Sequence, residues 1–186
     1  GRVTGVDISP EAIKYSKKRG VKTYLASVTK LPFKKNTFDL IISVDVLYHQ
    51  LVNNDLKAFL EFKRVLKPSG ILILKVPAYN WLRGNHDSVV HTKHRYTTKE
   101  LEQLTDKAGL KILRTSYFSS FLLPLAITKR LIESVTHLKH ARSDVSQPPR
   151  FLNSLIIVLY KLESLFLNFS NIPVGLSALV VGQKTK

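Results

Sequence analysis

Between residues 86 and 96 the chain reads HDSVVHTKHRY, and three of its six histidines, His86, His91 and His94, fall within nine positions there. Imidazole titrates near neutral pH, so a histidine in such a loop can take a proton from a hydroxyl under physiological conditions. His86 and His91 are the candidate general bases, and Arg95 with Tyr96 offers a guanidinium and a phenol suited to an anionic group. His86, Asp87, His91 and His94 are also metal-ligand types, but their spacing fits no closed site, and no metal is expected. The plainer alternative is that these side chains only fix their own loop. A second feature stands near the start of the chain, where GVDISPEA puts Asp7 at the end of an apolar stretch. A carboxylate at a strand tip can accept both hydroxyls of a ribose, or simply cap the following helix.

These side chains need a frame, and the pattern supplies one. Residues 2–8 read as a strand, Ser9 as an N-cap, Pro10 as a first helical residue, and Gly20 as the stop of a helix running from Pro10 to about Lys18. Val21 to Ala26 is a second strand, and SVTKLPFKKNT, broken by Pro32, is a loop. The nearly continuous apolar run from Phe38 to Val44 is the signature of a parallel strand buried on both faces. A helix from about Asn54 to Leu66 follows, with Leu56, Phe59, Leu60, Phe62 and Val65 at helical spacing. Lys67-Pro68-Ser69-Gly70 stops it, and a strand starts at Ile71. Alternation of this kind predicts an α/β sheet of parallel strands with right-handed crossovers, whose ligands bind at the strands' carboxyl ends. Asp7, Ser27, Ser43, Asp45 and Pro77 to Asn80 lie at those ends. Beyond the polar loop Ala78–Tyr96, a helix capped by Thr97 or Thr98 runs to about Ala108, and strands are expected at Leu110–Phe118 and Val174–Gly182. Two apolar helical segments, Phe121–Leu138 and Phe151–Phe169, lie between them, separated by a polar turn at Ala141–Pro149.

With 186 residues, 44% of them hydrophobic, the chain can bury one sizeable core. Twenty-nine basic residues against 13 acidic ones give a formal charge of +16, which favours phosphates, nucleic acid or an acidic membrane surface as partners. The absence of cysteine excludes disulfides, thiolate metal sites and a cysteine nucleophile, and suits a cytoplasmic setting. The sequence shows no secretory leader, begins at Gly1 and holds no methionine, so the expectation is a processed protein or a fragment.

Three blocks together, GVDISPEA, LPFKKNTFDLIISVDVLYH and RVLKPSGILILKVP, resemble the class I S-adenosylmethionine-dependent methyltransferases of the type 11 and quinone O-methyltransferase kind. The resemblance covers residues 2 to about 117, and GLSALVVGQK is similar to the family's last strand. It implies a Rossmann-like sheet with helices on both faces, S-adenosylmethionine as cofactor, and Asp7 as the ribose clamp with Ile8 against adenine. It implies that Ser27 and Val28 stand where adenine is read, Ser27 replacing an acidic residue. Ser43, Val44 and Asp45 are implied to border the methionine moiety, and His49 to tether its loop.

In-line methyl transfer to a hydroxyl needs alignment and a base, the role for which His86, His91, Arg95 and Tyr96 are the candidates. HTKHRYTTKELEQLTDKAGL resembles the quinone-type enzymes, which favours an oxygen acceptor that is small or lipid-linked. The family's first strand and its glycine-rich loop are expected ahead of residue 2 and are not in the sequence. The chain alone is therefore expected to bind the cofactor poorly, and a roughly 40–60-residue upstream extension to restore binding.

The expected organisation is a methyltransferase core at 1–118 and 174–186, with a helical cap inserted at 119–173. Phe151–Phe169 has the length of a bilayer span, but Lys161 and Glu163 would each cost about 3 kcal/mol at a membrane centre. A cap able to touch a membrane surface through 121–169 fits better, with Lys129, Arg130, Lys139, His140 and Arg142 available to anionic headgroups. Two other functions stand beside the leading one. A nucleic-acid methyltransferase is suggested by the charge, but SVDVLYH lacks the Pro-Pro-aromatic turn of base-amino enzymes. A binding module that keeps the fold without turnover is the other. Sequence leaves the oligomeric state open.

Overall fold

The computed structural model describes residues 1–136 and 149–186. The polar turn expected at Ala141–Pro149 falls almost wholly outside the described residues, as do Lys139, His140 and Arg142. Local signals set most element starts. Ser9 accepts a hydrogen bond from the Ala12 N–H at 3.3 Å and opens α1, Pro10–Lys18, with proline in the first turn. Asn54 accepts from the Lys57 N–H at 2.8 Å and opens α2, Asp55–Val65. Thr97 and Glu100 cap each other's backbone N–H at the start of α4, Thr98–Lys107, the reciprocal arrangement that satisfies two orphan donors. The expected loop at 78–96 contains a 3-10 turn, Asn80–Leu82, and a short helix α3, Asn85–Val89.

The strands are β1 Thr4–Asp7, β2 Lys22–Leu25, β3 Phe38–Val44, β4 Leu66–Pro77, β5 Leu110–Phe118 and β6 Ser177–Lys184. β4 starts five residues before the expected Ile71, because Leu66 already pairs with Phe38; the turn residues then bulge, with Ser69 at φ 64, before Ile71 pairs with Leu40. β6 lies three residues beyond the expected start and runs antiparallel between β4 and β5, in the order β3-β4-β6-β5. The core sits on this sheet. Leu72, Leu74 and Val76 alternate into it and meet Phe59 and Phe62 of α2, Leu101 of α4, and Ala178 and Val180 of β6. Each such fully buried side chain contributes about 1.5–3 kcal/mol.

β1 and β2 pair only with each other, in parallel, as a separate two-stranded sheet. Two devices couple it to the larger one. Phe33, in the loop after β2, packs edge-on against Tyr24 of β2 at 5.2 Å and against Phe38 of β3 at 4.8 Å. Arg64 of α2 donates to the carbonyls of Phe33 and Leu31 and pairs with Glu61 at 2.6 Å, while Glu61 accepts from the Leu31 N–H. α5, Leu123–Thr136, and α6, Arg150–Phe169, form the segment between β5 and β6. α5 starts later than expected because Ser119–Leu122 is a turn, held to α6 by Glu163 through the N–H and hydroxyl of Ser120 at 2.8 Å each.

If the Phe33 ring is what holds the two sheets in register, Phe33→Ala should lower stability by about 2 kcal/mol, two edge-to-face contacts plus partial burial. Arg64→Ala should cost a similar amount through its charge-assisted bonds. Denaturant titration checks both, and amide exchange should quicken first in β1 and β2.

Candidate active site

A cavity of about 660 Å³ opens between the two sheets, within the usual small-molecule range. It runs along the facing sides of β1, from Thr4 to Asp7, and β3, from Phe38 to Ser43, with the loops that follow β1, β2 and β3 and with Phe62 and Val65 of α2. Asp7, Ile8, Ser27, Val28, Ser43 and Asp45 all line it. Val44, read from the sequence with that group, is half-exposed but does not line it. Glu11, Leu51 and Val52 are among the lining residues that the sequence reading did not name for the site. Glu11 was detectable in principle, since a helix opening directly beside Asp7 must turn its first-turn acid toward the same space.

Asp7 is oriented by its own turn. One carboxylate oxygen accepts the Ser9 N–H at 2.8 Å, and the other has no partner among the described residues. Ser9 donates to Glu11 at 3.0 Å, and hydrogen bonds from the backbone and from Ser9 hold the Glu11 carboxyl below its usual range. Ser27 is engaged with Thr29, accepting its N–H at 3.2 Å with the two hydroxyls 2.9 Å apart. Asp45 sits at φ 52, a left-handed conformation uncommon outside glycine, held by its N–H to the Lys75 carbonyl and by a 2.8 Å ion pair with the Lys75 ammonium.

The structure separates the histidine loop from this cavity. None of His86, His91, Arg95 and Tyr96 lines it, whereas His49 does. His91 packs edge-on against His49 at 5.9 Å, and His86 keeps Nδ1 buried without a hydrogen-bond partner. Arg95 is turned inward onto Asp87 at 2.8 Å and the Ala78 carbonyl, and Tyr96 donates to Asp55 at 2.9 Å from full burial. Both side chains expected to grip a substrate anion are thus spent within the protein. Burial pushes the Tyr96 phenol up, and the Asp55 charge and hydrogen bond add to the rise. His94 is also committed, to Asn80 at 3.0 Å and Glu100 at 2.9 Å. His49 accepts the Leu51 N–H at Nδ1, 3.1 Å away, so its neutral ring carries its proton on Nε2.

Beyond the cavity, at the carboxyl ends of β4 and β5, Tyr79 stacks on Tyr117 at 4.9 Å and meets Trp81 at 5.6 Å. Tyr79 holds φ 58 to do so. Only the isolated occurrence of aromatic residues after the strand ends hinted at this cluster.

Known proteins fit this arrangement. The family described as Methyltransferase domain matches residues 1–74. An uncharacterised protein of Methanocaldococcus jannaschii is 42% identical over 127 residues, covering 68% of this chain and 60% of its own length. The tRNA (carboxymethyluridine(34)-5-O)-methyltransferase of Arabidopsis thaliana is 33% identical over 90 residues, 48% of this chain and 21% of that protein. The chain thus spans less than two thirds of these relatives. Among solved structures, a methyltransferase in complex with the Haloferax volcanii Trm112 methyltransferase activator superposes with a TM-score of 0.62 at 16% identity, over all of this chain and 73% of that one. Phosphoethanolamine N-methyltransferase 2 of Haemonchus contortus, in complex with S-adenosyl-L-methionine, gives 0.60 at 17% identity, over all of this chain and 44% of that one. At these identities the likeness is one of fold.

The buried Asp87–Arg95 pair makes the histidine loop acid-sensitive. Burial raises the Asp87 carboxyl, but hydrogen bonds from Arg95 and the Gly84 N–H and the Arg95 charge outweigh it and hold the carboxyl below its usual 3.8. A lowered folded value means stability that is full above the unfolded value and lost as pH falls through the folded one. Asp87→Asn should therefore destabilise the protein by about 3 kcal/mol at neutral pH, leaving Arg95 buried without its counter-charge. Urea titrations should show the two proteins converging below pH 4.

Proposed function

From a chain whose residues 1–74 match the methyltransferase domain family and whose fold is that of the class I enzymes, we infer an S-adenosylmethionine-dependent methyltransferase acting on an oxygen of a small or lipid-linked acceptor. The observation that carries this reading is the cavity, which gathers Asp7, Ile8, Ser27, Val28, Ser43 and Asp45 from three strand ends. Their chemistry fits the cofactor. The unpartnered Asp7 oxygen can accept a ribose hydroxyl, the half-exposed Ile8 offers an apolar face to a base, and Asp45, oriented by Lys75, can hold an ammonium. S-adenosylmethionine, when bound, supplies a methyl group on a sulfonium.

The protein's remaining task is to align the acceptor and take its proton. His49 presents an N–H to the cavity and serves as a donor that orients the acceptor oxygen. His91 does not line the cavity but packs behind His49, which does, and is the proposed proton acceptor for an acceptor oxygen that reaches past His49; His86 lies apart in α3. Arg95 and Tyr96 act as positioning residues, fixing the loop that carries His91. β1 and β3 flank the cavity unpaired to each other, and the resemblance implies a strand with a glycine-rich turn between them, which would bring the other half of the cofactor site.

A transfer-RNA acceptor is a second reading, favoured by the +16 charge and by the match to the plant tRNA methyltransferase. RNA binding that weakens steeply with salt supports it, and its absence supports the small acceptor.

In calorimetry on the chain carrying such an upstream strand, Asp7→Ala should weaken S-adenosylmethionine binding at least about tenfold, the loss of charge-assisted hydrogen bonds. Unchanged affinity would refute the clamp. In the same protein His91→Ala should lower turnover about a hundredfold with little change in cofactor affinity. Intact turnover would remove His91 as the base.

A further inference from the structure

Among the described residues, α6 is anchored along one face only. Ile156, Leu159, Tyr160, Glu163 and Leu167 recur at helical spacing and turn inward: Tyr160 stacks on Phe118 at 5.3 Å, Leu167 packs against the core, and Glu163, 1% exposed, binds Ser120. At a step of roughly 100° per residue, the opposite side of the helix carries Phe151, Leu155, Val158, Leu162, Leu165 and Phe169 in one continuous stripe. All six are exposed, Phe151 at 81% and Phe169 at 89%. By length and composition α6 could cross a bilayer. Its third sector argues otherwise, because Arg150, Asn153, Ser154, Lys161, Ser164 and Asn168 share one exposed flank, in which Ile157 is the apolar exception. A crossing helix would leave that flank, with Lys161 near its middle, in hydrocarbon. An apolar stripe bordered by a polar flank with cations suits a helix lying in the interface plane.

We propose that α6 docks in the plane of an anionic membrane surface, its apolar stripe sunk at the headgroup–acyl boundary and Arg150 and Lys161 at the lipid phosphates. Charge selects this occupant. At +16 the chain is attracted to an acidic lipid surface and repelled by a second copy of itself. The proposal does not depend on the methyl-transfer reading.

The test is co-sedimentation of the chain with vesicles of phosphatidylcholine alone and of phosphatidylcholine mixed with phosphatidylglycerol. Binding should favour the anionic vesicles by about tenfold and fall with salt, and a Leu162→Asp/Leu165→Asp variant should lose at least about tenfold in partitioning. Both side chains are exposed, so its circular dichroism and melting should stay unchanged. Tryptophan fluorescence of Phe169→Trp should shift to the blue on vesicles and be quenched most by lipids brominated near the headgroup. Three results would overturn the proposal: no sedimentation with either vesicle, quenching greatest at the bilayer centre, or a vesicle-free dimer that the double substitution disperses.

Discussion

The backbone edges of β1 and β3 make no hydrogen bonds to each other, and every other property of the site is arranged around that gap. A strand edge is a row of unmet donors and acceptors, and here two such edges bound one cavity. The side chains along β3 agree, since Leu40, Ile42 and Val44 stay exposed in a strand whose composition is that of a sheet interior. With no ladder between the sheets, their spacing depends on side chains: the Phe33 ring between Tyr24 and Phe38, and the Arg64 fork on the same loop. These few contacts fix how far Asp7 stands from Ser43 and Asp45, which is the dimension a ligand would feel.

Behind the cavity two carboxylates are paired in depth. Asp55 takes the Tyr96 hydroxyl on one oxygen and Lys93 on the other, and Asp87 takes Arg95 and the Gly84 N–H. Such pairing in a low-dielectric setting makes the loop from 78 to 96 rigid, because breaking one bond strands a charge. The strained backbone at Asp45 and Tyr79 sits at the margins of this network, where neighbouring hydrogen bonds can hold it: Asp45 to Lys75, Tyr79 to the Tyr96 carbonyl. Rigid support of that kind is what a loop needs if it is to present His91 reproducibly.

Local signals in the sequence were strong where the physics is local. Ser9-Pro10, Asn54 and Thr97 set helix starts through bonds within one turn, so α1, α2 and α4 could be read almost to the residue. The resemblance picked out Asp7, Ile8, Ser27, Val28, Ser43 and Asp45, which do line the cavity, because they follow directly from where each strand ends; it also picked out Val44, which does not, and missed the other lining residues along β1 and β3. The histidine loop was not legible in the same way. Charge and residue type marked Arg95 and Tyr96 as available for a ligand, but availability depends on what folds against them, and Asp87 and Asp55 lie eight and 41 positions away. The same limit hid the direction of α6, since an apolar helix reads alike whether its stripe meets a core or is left bare.

The segment that carries α5 and α6 leaves the sheet at Phe118 and returns at Ser177, and those two residues are paired in the β5–β6 ladder. Both ends of the excursion are therefore pinned at one rung. A closed loop of this kind can lengthen or shorten at a free-energy cost that grows only with the logarithm of its size. The helical excursion is in this sense a detachable fitting, whose length and surface can change while the β5–β6 rung, Asp7 and its cavity stay as they are.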